Sequence, residues 1–248
     1  MLEPYDSPIS LLVDIGNTRT KYVFSDSQGA FSKVDYLYKE ENLDSLLSLC
    51  SEVVIASVNN EEKLRVWRDA CEKQNTTLHH IQTQAMAFGV ACPYENPQKL
   101  GIDRWLCALA IAKRTHQAVA VIDVGTATTC DFIVNGEYLG GWIAPGFDLM
   151  RQSLVQNTAK VLANEHFPND IVLGRDTEDC VNGGCLAMIS GLITEAQRQL
   201  CQFEGENQVI LTGGSASMLA NVVSVDCIVE EDLLFKGLRL FSNSSPEN

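Results

Sequence analysis

Basic residues are scarce in this chain. Lys and Arg number 18 against 32 Asp and Glu, a formal charge of −14 over 248 residues. Nucleic acid or an anionic membrane surface meets no long-range attraction from such a charge, so neither is expected as a partner. A small anionic substrate is not excluded, because it responds to local dipoles. Histidine is sparse too: His79, His80, His116 and His166 fall at no metal or triad spacing and read as ordinary surface or core residues. The nine cysteines contain no CxxC pair, and the nearest two, Cys180 and Cys185, lack the further ligands a metal site needs. Most read as small core residues in a reducing cytosol. There is no basic-then-apolar leader and no apolar run near ~20 residues, so a cytoplasmic protein without a membrane span is expected. Ser153 and Ser190 have no glycine-flanked elbow, so a serine hydrolase is not indicated.

What is present is a repeated pattern. Leu11 to Phe24 reads LLVDIGNTRTKYVF: an apolar run ending in Asp14, a small turn through Gly16, Asn17 and Thr18, then a second apolar run. Two strand-like runs around a polar turn read as a β-hairpin. Gly16 permits close backbone approach, and turn amides can point at an anion. An acid ending a buried strand needs a partner, and a hydrated Mg²⁺ on a nucleotide phosphate would serve. A surface hairpin with a solvated Asp is the plain alternative. Val119 to Ile133, VAVIDVGTATTCDFI, repeats the pattern: aligning Asp14 with Asp123 aligns Gly16 with Gly125 and Thr20 with Thr129. A long-period match of this kind implies two homologous halves, each presenting an acid and a phosphate-sized loop, with a nucleotide cleft between them.

In chain order, strands are expected at about Ile9–Asp14, Lys21–Phe24, Lys33–Tyr38 and Val53–Ala56, with helices at Glu41–Cys50 and Glu61–Lys73. Thr83 to Gly101 fits no regular element, and structureless stretches of this length are often binding loops. A helix follows over Ile102–Arg114. Strands at Val119–Asp123, Thr128–Val134 and Glu137–Ile143 repeat the opening, with Asn135-Gly136 as a hairpin turn. Helices are expected at Phe147–Val155 and Asp179–Leu200, the latter with Val181, Cys185, Met188, Leu192, Ala196 and Leu200 on one stripe. Val209–Thr212 is a strand leading into Gly213-Gly214. The α/β pattern divides into domains 1–116 and 117–248, with no low-complexity linker.

Between the repeats lies Gly101-Ile102-Asp103-Arg104, opening a helix. Asp103 has a simple reading as a capping or first-turn residue. It also closes the irregular loop and is followed at once by Arg104, which can clamp a carboxylate. A substrate with a carboxylate and a hydroxyl would be held by Arg104 while Asp103 accepts the hydroxyl proton. Phosphoryl transfer demands positioning more than basicity, so a weak base suffices. Gly213-Gly214 would let a nucleoside lie against backbone, or simply turn a strand into a helix.

Taken together these segments resemble the type III pantothenate kinases. Asp14-Ile15-Gly16-Asn17-Thr18 is similar to their first phosphate motif, Gly101-Ile102-Asp103-Arg104 to their substrate motif, and Asp123-Val124-Gly125-Thr126-Ala127-Thr128-Thr129 to their second phosphate motif. Gly140 to Gly146, GGWIAPG, and Leu211-Thr212-Gly213-Gly214 match the segments that follow, in family order over most of the chain. The resemblance implies two tandem ribonuclease-H-like halves of the actin-like ATPase superfold. It implies ATP-dependent phosphorylation of pantothenate, the first step of coenzyme A synthesis, in a homodimer. It implies Asp103 as base and Tyr94, Gly101, Ile102 and Arg104 as pantothenate contacts. Asp14, Ile15, Gly16, Asn17, Thr18, Arg19, Thr20 and Lys21 would form the ATP phosphate site, with Thr126 joining and Asp14 reaching Mg²⁺ through water. Asp123 would bind a monovalent cation, K⁺ or NH₄⁺. Thr177, just before the long helix, would reach the substrate of the second subunit, although Arg175 stands where that motif often has Lys. The rivals are a kinase or phosphohydrolase for another small hydroxy acid on the same superfold, and a non-catalytic regulatory relative. Arg104 favours a carboxylated acceptor, and Asp14, Asp103 and Asp123 are all present.

Overall fold

A computed structural model describes residues 9–16, 19–37, 43–58, 60–157 and 170–242. Contacts gather the chain into two units, Met1–Ala110 with Asp232–Asn248, and Ile111–Glu231.

The first unit begins with the hairpin β1 (Ser10–Ile15) and β2 (Thr20–Ser25), followed by β3 (Asp35–Leu37), α1 (Leu43–Leu47), β4 (Glu52–Ser57), α2 (Glu61–Gln74) and β5 (Thr77–Ile81). The five strands form one sheet in the order β3-β2-β1-β4-β5. β1 runs antiparallel to β2 and parallel to β4, so both its edges are occupied. Its faces are occupied as well: Leu11, Leu12, Val13 and Ile15 are all fully buried, as a central strand with a continuous apolar run should be. α2 is held at both ends. Asn60 Oδ1 accepts the Lys63 amide at 3.0 Å, and Asn75 closes the helix in the left-handed conformation, φ 55°. Between them Leu64, Trp67 and Cys71 present the buried face expected from their spacing.

The second unit repeats this plan. β8 (Ala118–Val124), β9 (Ala127–Val134), β10 (Glu137–Pro145), α4 (Phe147–Asn157), α5 (Thr177–Leu200), β11 (Asn207–Thr212), α6 (Ala216–Ala220) and β12 (Cys227–Val229) follow the small hairpin β6 (Met86–Ala87) and β7 (Val90–Ala91) and helix α3 (Ile102–Ala112). The sheet order is β10-β9-β8-β11-β12, the same succession of three antiparallel and then two parallel strands. Each unit is therefore an α/β half with its founding strand at the centre. This is the two-sheet architecture expected from the repeat.

Several elements differ from the sequence expectation. β5, β12 and the β6–β7 hairpin carry too few consecutive apolar residues to stand out. Within Thr83–Gly101 the chain also forms a 3₁₀ turn at Pro97–Lys99. α5 starts at Thr177 rather than Asp179, because Asp176 is its cap and accepts the Asp179 amide at 2.8 Å. Its buried face is Asn182, Cys185, Leu186, Ile189, Ile193, Ala196 and Leu200. Met188, placed on the apolar stripe by spacing, is 65% exposed instead. A last helix, α7 (Leu233–Arg239), packs on β1 and β4. It belongs by contact to the first unit, which the division at 116/117 does not capture.

α7 is fastened by backbone as well as side chains. A Cβ built on Gly237 would lie 2.1 Å from the Leu106 carbonyl oxygen of α3. Arg239 Nη1 donates to the Ser25 hydroxyl and, at 2.7 Å, to the Asp26 carbonyl. Helix propensity alone makes Gly→Ala stabilising by roughly 0.5–1 kcal/mol. The contact reverses the sign. Gly237→Ala is expected to lower the urea unfolding free energy by about 1–3 kcal/mol; a stabilised variant would show that α7 stands clear of α3.

Candidate active site

The first hairpin is set by its ladder. Asp14 pairs with Lys21 and Ile15 with Thr20. Gly16 N–H then donates to Arg19 O at 3.1 Å; Asn17 and Thr18 lie outside the described residues. Asp14 is half-buried, Thr20 is buried, and the Arg19 guanidinium sits 5.6 Å from the Tyr36 ring centroid. The neighbouring Tyr22 hydroxyl donates to Asp35 at 3.0 Å, and burial with that carboxylate pushes its pKa up to about 12.

The second hairpin is one residue shorter. Asp123 pairs with Thr129 and Val124 with Thr128, and Gly125 N–H donates to Ala127 O at 3.0 Å. Thr126 forms the tip, exposed together with Gly125. Thr20 therefore occupies the ladder position of Thr128, not that of Thr129. The ungapped alignment missed the difference in turn length, because hydrophobic pattern alone does not report it.

Two glycines enclose the second acid and its turn. A Cβ on Gly146 would lie 2.1 Å from Gly125 O, and one on Gly213 would lie 2.2 Å from Asp123 Oδ1. Gly213 has φ +89°, which L side chains rarely adopt. The Ser215 amide donates to Val124 O at 3.2 Å, completing a backbone wrap around the end of β8. Gly213-Gly214 thus serves as a strand-to-helix turn packed on Asp123.

On the first unit, Gly101 O accepts the Trp105 amide at 3.1 Å and opens α3. Asp103 Oδ1 accepts the adjacent Arg104 amide at 2.8 Å. A capping side chain would take the amide two or three residues on, so Asp103 is not the cap; it is the acidic residue in the first turn of α3, the other half of its simple reading. Gly101 makes room for this carboxylate: a Cβ there would stand 2.5 Å from Asp103 Oδ1. Arg104 is buried, and its Nη1 donates to the Tyr94 hydroxyl at 3.0 Å, with the guanidinium 5.9 Å from the ring centroid. The structure thus joins Tyr94 to Arg104 and Gly101 to Asp103, while Ile102 is buried beneath them.

Two residues not anticipated from sequence close the loop that carries Tyr94. Thr83 Oγ1 donates to Leu100 O at 2.9 Å, and Gln98 Nε2 donates to Thr83 O at 3.0 Å. The only signal for them was position, at the two ends of the irregular stretch.

In the second unit, Thr177 is the first residue of α5 and is exposed. It lies on a depression of about 990 Å³ with Pro145, Met150, Leu154, Val181 and Met188. Among the described residues no three His, Cys, Asp or Glu gather into a metal-holding group, and no helix is long and apolar enough to cross a membrane.

Two α/β sheets of the same strand order, each with a carboxylate near the end of its central strand and a tight turn beyond it, define an actin-like ATPase fold. A solved structure of a Baf family transcriptional activator from Campylobacter jejuni shares it, with TM-score 0.60 and 24% identity over 96% of this chain and all of that one. So does the ethanolamine utilization protein EutJ from Carboxydothermus hydrogenoformans, with TM-score 0.52 and 12% identity over 98% of this chain and 93% of that one. At such identities the likeness concerns the fold alone. The sequence narrows it: the type III pantothenate kinase family model matches residues 10–199. A type III pantothenate kinase from Pseudoalteromonas atlantica is 37% identical over 92% of this chain and 95% of its own length. One from Colwellia psychrerythraea is 31% identical over 94% and 99%, respectively. The chain belongs to the type III pantothenate kinase family.

The Gly213 contact gives a test of the second acid's setting. Gly213→Ala must strain a positive φ and displace the Asp123 carboxylate. A loss of about 1–3 kcal/mol in unfolding free energy is expected, and wild-type stability would show that Gly213 is a freely replaceable turn residue.

Proposed function

We propose that this chain transfers the γ-phosphoryl group of ATP to a hydroxyl of pantothenate, giving 4′-phosphopantothenate, the first step of coenzyme A synthesis, as a cytoplasmic homodimer. The observation that carries the reading is the buried Arg104, joined to Tyr94 and placed beside the half-buried Asp103 carboxylate. An adjacent acid and guanidinium suit an acceptor that carries both a hydroxyl and a carboxylate. This arrangement favours pantothenate over water as acceptor, and so a kinase over a phosphohydrolase.

Asp103 would accept the hydroxyl proton as the oxygen–phosphorus bond forms and the bond to ADP breaks. Arg104 and Tyr94 would fix the acceptor's carboxylate end. The turn from Gly16 to Lys21, and Thr126 from the second hairpin, would hold the phosphates through backbone amides and short side chains. A divalent ion fits the half-buried Asp14 only as a hydrated ion shared with the phosphates, since no fuller ligand group surrounds it among the described residues. Such an ion neutralises phosphate charge. Asp123, enclosed by backbone at the end of β8, fits a single carboxylate ligand for K⁺ or NH₄⁺. The halves 1–116 and 117–248 would be the functional division, with α7 returning to the first.

The homodimer rests on the second unit. Met188 and Leu154 line the depression beside Thr177, and Val172 and Leu173 lie exposed just before it, Leu173 at 97%. Covering this face with a second copy would remove apolar surface from water and carry Thr177 toward the other copy's Tyr94–Arg104 loop.

Purified protein should form ADP only when pantothenate and Mg²⁺ are both supplied; equal ATP hydrolysis without pantothenate would sink the kinase reading. Asp103→Asn should lower kcat by roughly 10²–10⁴ while ATP affinity is kept, and a near-normal kcat would remove Asp103 as base. For the shared site, Asp103→Asn is mixed with a Thr177 replacement bulky enough to block the acceptor. Random subunit exchange should restore about a quarter of wild-type activity, because mixed dimers hold one intact site. No recovery despite demonstrated exchange would confine each site to one chain.

A further inference from the structure

The β6–β7 hairpin turns on a strained tip. Phe88 and Gly89 join its strands with φ 49° and 79°. A two-residue turn with both φ values positive favours Asn, Asp or Gly at its first place, and a bulky aromatic there is unfavourable. Such a conformation persists only where the surroundings hold it. The hairpin supplies little of that support, having two residues in each strand and Met86 62% exposed. What the tip does meet is Phe241, edge to face, with ring centroids 4.9 Å apart and planes at 73°.

Phe241 is fixed from both sides. Its amide donates to Leu238 O at 3.0 Å, in the last turn of α7. Before it, Arg239 donates to the Ser25 hydroxyl and the Asp26 carbonyl. After it, the Ser242 hydroxyl donates to Glu52 Oε1 at 2.5 Å and lies 2.6 Å from the Ser10 hydroxyl. Ser10 and Ser242 are fully buried, and so nearly is Glu52. Ser10 opens β1 and Glu52 opens β4, so these bonds root Phe241 in the middle of the sheet. Phe88 belongs instead to the irregular stretch. From its tip the path to Arg104 is short. The Cys92 amide donates to Ala85 O at 2.9 Å and closes the hairpin, Tyr94 follows two residues later, and the Tyr94 hydroxyl accepts from Arg104 at 3.0 Å.

We infer that Phe241 is a positioning residue for the acceptor: through Phe88 it holds the hairpin so that Tyr94 keeps the Arg104 guanidinium in direction. The inference rests on the acceptor reading proposed above. Phe241 itself touches neither substrate nor reacting atoms. Without its ring the hairpin occupies other positions as well, and affinity for the acceptor falls with the fraction that remains competent. ATP, assigned to the turns after β1 and β8, meets none of these residues. Asp103 is carried by α3, which has its own contact with α7 at Gly237, so the chemical step is spared.

The test is steady-state ADP formation against pantothenate and against ATP for wild type, Phe241→Ala, Phe88→Asn and the double variant. The KM for pantothenate should rise about three- to tenfold in each single variant, the worth of one edge-to-face aromatic pair. The KM for ATP should stay constant, and kcat should stay within about twofold. The double variant should be no worse than either single one, because both remove the same contact. Phe241→Tyr keeps the ring and should keep the wild-type KM. Should Phe241→Ala fail to fold, Phe88→Asn carries the measurement, since Asn suits the left-handed turn place and its thermal transition should not fall. A wild-type KM for pantothenate in Phe88→Asn, or a rise in both KM values together, means a packing contact only and overturns the inference. Hydrogen exchange at the Cys92 amide reads the latch without turnover. It should quicken in the single variants, and unchanged exchange would equally overturn the inference. A wild-type protein whose ADP formation ignores pantothenate removes the acceptor reading itself, and this inference falls with it.

Discussion

A carboxylate near the end of a strand buried on both faces is the constraint around which each half is built. Asp14 follows Leu11, Leu12 and Val13, all fully buried, and Asp123 follows Ala120, Val121 and Ile122. Burying an ionised carboxylate is unfavourable unless charge or hydrogen bonds compensate it, so the sheet delivers the acid to the edge of the core rather than its middle. The strands beside it are chosen accordingly. At the level of Asp14 the parallel neighbour is Ala56, and at the level of Asp123 it is Thr212. Small residues there leave space beside the acid. Gly213 extends the same logic by a residue, since its missing Cβ is what lets backbone close on Asp123 Oδ1.

The irregular stretch Thr83–Gly101 poses a different problem. A long irregular stretch can position a catalytic group only if its own freedom is removed. Here it is pinned at three heights. Thr83, Leu100 and Gln98 close its base, Tyr94 and Arg104 tie its middle to α3, and Phe88 at the hairpin tip packs edge-to-face on Phe241, with centroids 4.9 Å apart. Phe241 directly follows the last turn of α7, so the end of the chain braces the segment that delivers Asp103.

The legible and illegible parts of the sequence separate along physical lines. Asp14, Gly16, Asp123 and Gly125 were readable because a buried strand ending in an acid is rare and was repeated. The paired sheets followed from the same repeat. Turn length was not readable, since one residue more or less changes the register without changing the apolar pattern, and Thr20 was matched to the wrong threonine. β5, with two histidines in TLHHI, lacks the apolar run of a core strand because four of its five residues are exposed or only partly buried. α7 owes its place to Gly237 against Leu106 and to Arg239 at Ser25, contacts across more than a hundred residues that no local pattern announces. The apolar stripe of α5 was read correctly at Cys185, Ala196 and Leu200 and one residue early at Val181, Met188 and Leu192. Asn182 is buried and Met188 exposed, because packing against the sheet, rather than hydropathy, selects the inward face.

The acidic balance of the chain bears on how anionic substrates would be held. With a formal charge of −14, the long-range field opposes both a nucleotide and a carboxylated acceptor. Screening at physiological ionic strength confines that opposition to distances of about 8 Å. Recognition must then come from groups that act at contact. In the proposed reading Arg104 would be the strongest of these in the first unit. It is buried, where the effective dielectric is low, and the Tyr94 hydroxyl and ring fix its direction. Arg19 is exposed over Tyr36, where solvent weakens its charge. A single buried guanidinium beside an acid can therefore set the orientation of an acceptor that the molecule as a whole repels. The turn amides need no net charge to receive phosphate. An acidic exterior and an anion-directed interior are compatible because they act over different ranges.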